Sequence, residues 1–114
     1  MATINFLYRS TKDKANLHLR LLYRFNDVDF VIGANTKFEV SKDYWSKQHK
    51  QRVFKKTSVI VDLNKIQDIK SKQNEVDKEL NNIESYILKS FNTVGTDEVN
   101  KEWLQTQIDL YYNP

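Results

Sequence analysis

Cysteine is absent from this chain. Without thiols there is no disulfide, no thiolate metal site and no cysteine nucleophile, a pattern that agrees with a cytoplasmic protein. Proline occurs once and glycine twice among 114 residues. So few breakers leave most of the chain for regular elements, in one domain or a little more. No apolar run nears the roughly 20 residues that cross a bilayer. The start, Met1, Ala2, Thr3, Ile4, Asn5, lacks the basic beginning and apolar run of a signal peptide. His18 and His49 are the only histidines, with no acidic residue at a metal-ligand spacing, no H-E-x-x-H and no glycine-rich phosphate loop. Nothing gathers Ser, His and Asp into a triad. Tyr111 and Tyr112 stand among Asp109, Leu110 and Asn113, without the cations that activate a phenol. The expectation is therefore no catalytic residue, no cofactor, no metal, no small-molecule substrate and no membrane partner.

What is present is a lopsided charge. Residues 1–57 carry 12 Lys or Arg against 5 Asp or Glu, while residues 58–114 carry 6 against 10. A basic, strand-like half points to a polyanion, with nucleic acid ahead of a membrane surface. Lysines that keep a small sheet soluble and guard its edges would give the same count.

Periodicity organises the basic half. In residues 17–25 the apolar Leu17, Leu19, Leu21, Tyr23 and Phe25 alternate with His18, Arg20, Leu22 and Arg24. A strand has a period of two, so one face is apolar and the other largely cationic. Residues 3–9 read as a first strand, with Ile4, Phe6 and Tyr8 inward and Thr3, Asn5, Leu7 and Arg9 outward. Asn26 and Asp27 form a tight turn. Residues 28–34 form a third strand, with Val28, Phe30 and Ile32 inward and Asp29 and Val31 outward. Residues 33–36 read as a turn, 37–40 as a short extended piece, and Ser41 as the cap of a brief helical turn over 42–45. Residues 46–62 are polar and basic.

The acidic half reads as helix. Asn64 can cap a long helix to about residue 92, whose seam is Ile66, Ile69, Val76, Leu80, Ile83, Ile87 and Phe91, with Gln73 in the gap. Thr96 can cap a second helix carrying Val99, Trp103, Leu104, Ile108 and Tyr111. The long seam suits either a cover for the sheet or half of a coiled coil; the greasy sheet face makes intrachain packing the simpler account. The fold class is α+β: a three-stranded antiparallel sheet packed against a long C-terminal helix.

On this reading the outward face offers Thr3, Asn5, Arg9, His18, Arg20 and Arg24. Arg pairs bidentately with guanine and Asn with adenine in the major groove, which admits a β-ribbon. Lys12, Lys14, Lys37, Lys42 and Lys47 on the connections suit phosphates. A solvated face of long cationic side chains is the bland alternative. Trp45, beside Tyr44, reads as a plug for the core edge before it reads as a base-stacking platform.

The succession Asn5-Phe6-Leu7-Tyr8-Arg9, Leu17-His18-Leu19-Arg20-Leu21, the strand over 28–34, the piece 37–40, Ser41-Lys42-Asp43-Tyr44-Trp45, a basic stretch and a long helix resembles a known family. It resembles the N-terminal arm DNA-binding domain of tyrosine-type site-specific recombinases, the integrases of phages and conjugative transposons, in the form common in Bacteroides-type bacteria. The likeness covers residues 3–92 and rests on the ordered set rather than on any one motif. It implies sequence-specific binding of double-stranded DNA at accessory arm sites, with the sheet in the major groove, in support of DNA integration and recombination by a mobile element. It implies contacts from Asn5, Arg9, His18, Arg20 and Arg24, to which the basic connections add Lys12, Lys14 and Lys37 on the backbone. It places the catalytic residues in a further domain, so this chain would be a piece of a longer protein that meets other integrase protomers through its missing domains. Residues 1–94 would be the arm domain and 95–114 a helical connector to a core-binding domain. Leu22 and Val31 depart from a polar face; they would touch thymine methyls, or the register slips by one there. The rival function is a protein-interaction module that uses the long helix as a seam.

Overall fold

The computed structural model describes residues 2–51 and 60–114. Strands β1 (Ala2–Leu7), β2 (Lys14–Phe25) and β3 (Val28–Ser41) form an antiparallel sheet in the order β1-β2-β3. A π-helical turn, Tyr44–Gln48, follows. Then come helix α1 (Ile60–Thr93), a 3-10 turn at Thr96–Glu98 and helix α2 (Lys101–Tyr112). The architecture is α+β in two layers, sheet on helices.

The β2/β3 hairpin closes through Asn26 (φ 52°) and Asp27 (φ 61°). Consecutive left-handed residues make the turn whose twist matches that of the strands, and Asn and Asp tolerate it best after glycine. The register pairs Tyr23 with Phe30, Leu21 with Ile32 and Leu19 with Ala34. Phe30 stacks on Tyr23 with ring centroids 5.3 Å apart. Val28 and Phe30 share the inner side of the sheet, yet they are 53% and 38% exposed. They lie at the hairpin tip, where burial was expected and the helices do not fully cover them.

The expected turn over residues 33–36 is instead part of β3, which runs to Ser41. Gly33 stands opposite Arg20 within the ladder and does not have a positive φ. A side chain there would meet His18: an added Cβ falls 2.3 Å from its Nε2. The glycine makes room for a ring rather than a bend. A bulge follows between Asn16 and His18, where three residues of β3 oppose Leu17 alone. Its two extra residues preserve the alternation, so Val40 stays on the core side. Thr36, buried in the bulge, donates its hydroxyl to Leu17 O (2.8 Å) and accepts the Phe38 N–H (3.2 Å). These bonds satisfy backbone groups that the irregular ladder would leave unpaired.

α1 begins at Ile60, so Asn64 is an interior residue and not its cap. The basic segment over residues 46–62 lies partly outside the described residues. The seam of α1 buries Gln73, Val76, Leu80, Ile83 and Ile87. Gln73 fits among apolar neighbours because its amide donates to Gln48 O (2.6 Å) and Gln51 O (2.7 Å), tying the chain after the π-helical turn to α1. α2 begins at Lys101, not after Thr96. Asn100 caps it by accepting the Trp103 N–H at 2.8 Å, while Thr96 heads only the 3-10 turn. Leu104 and Ile108 of α2 are fully buried in one cluster with Ile4, Leu19, Leu21, Ile83 and Ile87. The Tyr23 hydroxyl donates to Val99 O at 3.1 Å. The segment 96–112 is thus packed into the same core as the sheet and α1.

A second cluster joins Leu17, Val40, Tyr44, Val76 and Leu80. Ser41 Oγ accepts the Tyr44 N–H (3.1 Å), and the helical segment it starts runs past residue 45 to Gln48. Trp45 stacks on His49 at 4.5 Å beside this cluster. His49 is buried, with its Nδ1 2.9 Å from the Tyr44 hydroxyl and its Nε2 3.5 Å from Asp77.

Candidate nucleic-acid interface

The ladder fixes what the outer face presents. Asn5, Arg20 and Gly33 form one row; Leu7, His18 and Asn35 form the next; Thr3, Leu22 and Val31 form a third. Arg24 lies opposite Asp29, and Asn16 opposite Glu39. Inner residues of these strands fill the core, so the outer set has no alternative orientation. Leu22 and Val31 therefore do share the cationic face, and no slip of register moves them off it.

Arg9 follows β1, which ends two residues earlier than expected, and still reaches this face. Its guanidinium lies 3.3 Å from His18 Nε2, and His18 Nδ1 lies 2.9 Å from Asn35 Oδ1. Arginine only donates, so Nε2 must accept and Nδ1–H must donate. That selects one tautomer of His18 and orients the Asn35 amide with its oxygen inward, which turns its NH2 donors away from the ring. Three side chains from three segments are so held in one chain of hydrogen bonds.

The basic turn is ordered as well. Lys12 N–H donates to Ser10 Oγ (3.0 Å), the Tyr8 hydroxyl donates to Lys12 O, and Lys42 N–H donates to Asp13 O (2.8 Å). Between this turn and the sheet lies an open hollow of about 400 Å³ lined by Arg9, Lys12, Lys14, Asn16, His18 and Asn35, among others. A second hollow, of about 330 Å³, is lined by Arg9, His18, Arg20, Val31, Gly33 and Lys101. Arg24 is exposed and pairs loosely with Asp29 at 3.9 Å. Lys37 is exposed in the bulged part of β3.

The structure thus brings Arg9, Lys12, Lys14, His18 and Arg20 around two adjoining hollows. Asn5 sits in the ladder beside Arg20, Arg24 lies toward the hairpin tip, and Lys37 lies in the bulge between Asn35 and Glu39 without lining either hollow. Asn16, Asn35 and Lys101 were missed. Asn35 follows from the alternation once β3 is continued past Gly33. Asn16 follows once β2 is begun at Lys14. Lys101 carries no local signal, because only the docking of α2 brings it to the sheet.

The C-terminal tyrosines are differently placed. Tyr111 donates to Glu79 Oε1 at 3.1 Å, and burial followed by that hydrogen bond pushes its phenol up to about 12. This is opposite to the shift that activates a phenolate. Among the described residues no group of three His, Asp or Glu is placed to hold a metal ion. No helix among them is long and apolar enough to cross a membrane.

Comparison with protein families, with curated proteins and with solved structures found no match to this chain.

Proposed function

We propose that this chain binds duplex DNA through the outer face of its sheet and catalyses nothing by itself. The observation that carries the reading is the face itself. Asn5, Arg9, His18, Arg20, Arg24 and Asn35 stand on or beside one solvent-facing side of a sheet whose other side is packed. Three strands spaced about 4.8 Å apart match the roughly 12 Å width of the major groove. The side chains there are those that pair with guanine and adenine edges. Lys12, Lys14, Lys37 and Lys101 lie around the face, where groove walls would bring phosphates.

A three-stranded sheet backed by a long helix is what the family resemblance implies, and the finer reading rests on that resemblance. The chain would be the arm-binding domain of a tyrosine recombinase from a mobile element, holding the enzyme at accessory sites during integration, in the cytoplasm. The rival, a helix seam for a protein partner, loses its best surface because Val76, Leu80, Ile83 and Ile87 are buried within the chain.

The test is fluorescence anisotropy with duplexes from the ends of the parent element against scrambled ones, over a range of salt. Selective binding that weakens steeply with salt is expected. Arg20→Ala should cost about 1–3 kcal/mol if it reads a base. A loss no larger than that of Lys78→Ala, on the exposed side of α1, would defeat the assignment. Absence of binding at low salt would defeat the function.

A further inference from the structure

The outer face is not uniformly polar. Leu22 and Val31 oppose one another across β2 and β3, with Thr3 completing their row. Val31 is 57% exposed, and its neighbour two residues on is Gly33, which has no side chain to shield it. Together with Arg24 and Asp29 the pair lines a hollow of about 280 Å³. An apolar pair with arginines in the row on either side, Arg20 and Arg24, suits a surface that is anionic overall and apolar at the point that meets this pair. In the major groove the thymine C5-methyl is that point, since the other groups displayed there are hydrogen-bond donors and acceptors.

We propose that Leu22 and Val31 grip a thymine methyl, about one to two base pairs from whatever Arg20 contacts. The spacing follows because alternate residues on a strand are about 6.8 Å apart, while a base-pair step is about 3.4 Å along the duplex axis and longer along the groove that the strands follow. The inference rests on the duplex-DNA reading and adds a sequence element to it. The target holds a thymine at a fixed step from a position read by an arginine.

The experiment uses the whole chain and a pool of duplexes with a randomised centre. In the tightest duplex selected, each thymine is replaced in turn by deoxyuridine, which removes one methyl and keeps every hydrogen-bonding group. One or two adjacent positions should lose affinity, by about fourfold per methyl. The variant carrying Leu22→Ala and Val31→Ala should be nearly indifferent to the same replacements. Val31→Ala alone, on a mostly exposed residue, serves if the double variant fails to fold. Selective, salt-dependent binding that ignores deoxyuridine, or that responds equally in the variants, overturns the methyl contact and leaves DNA binding standing. Failure to enrich any duplex overturns both.

Discussion

At the scale of single residues, Gly33 and His18 form one device. The glycine leaves the space that the imidazole occupies, and the imidazole in turn links Arg9 to Asn35. Gly33→Ala should push the ring aside without unfolding the chain, because the nearest obstacle is the movable end of a side chain. The Leu19 carbonyl, 3.3 Å from the new Cβ, must give only slightly. NMR should then show the His18 ring signals displaced, and duplex affinity should fall to that of His18→Ala. Unmoved ring signals would refute the account. Sequence alone put His18 on the outer face and misread Gly33 as a turn residue. Glycine signals both a bend and a close approach, and only the partner strand decides between them.

At the scale of elements, the helices differ in how openly the sequence declared them. The seam of α1 is a run of three-four spacings and needs no context to be read. α2 was legible as a helix but not as part of the sheet's core, since nothing local tells which surface a short amphipathic helix meets. The structure places Leu104 and Ile108 at 0% exposure against the sheet and α1. Ile108→Ala should therefore destabilise by about 2–5 kcal/mol in urea unfolding. Leu110→Ala, at a residue 42% exposed, should stay within about 0.5 kcal/mol. A similar small effect at both would mean that α2 does not share the core.

At the scale of the whole molecule, the buried and half-buried tyrosines make stability depend on high pH. Tyr111 is held up at about 12, from an ordinary 10.0, by burial first and then by Glu79. Burial also raises Tyr23 and Tyr112. Each keeps its proton in the fold while the unfolded chain gives it up, so the stabilisation is complete below pH 10 and is lost as pH rises through the folded values. For Tyr111 the window runs from 10 to about 12. Urea midpoints should fall across that window, and Tyr111→Phe should flatten the fall. A variant profile parallel to the wild type would show that this phenol carries none of the effect.

The sequence by itself determined the local periods: three alternating strands, the Asn26, Asp27 turn, the seam of α1 and the cationic side of β2. These are set by neighbours within a few residues, where side-chain geometry and backbone period suffice. Only the tertiary structure decided that β3 continues through Gly33, that Asn35 and Lys101 join Arg9 and His18, and that α2 completes the core. Each of those depends on contacts between residues far apart in the chain, whose energy exists only once the sheet has formed and the helices have covered it.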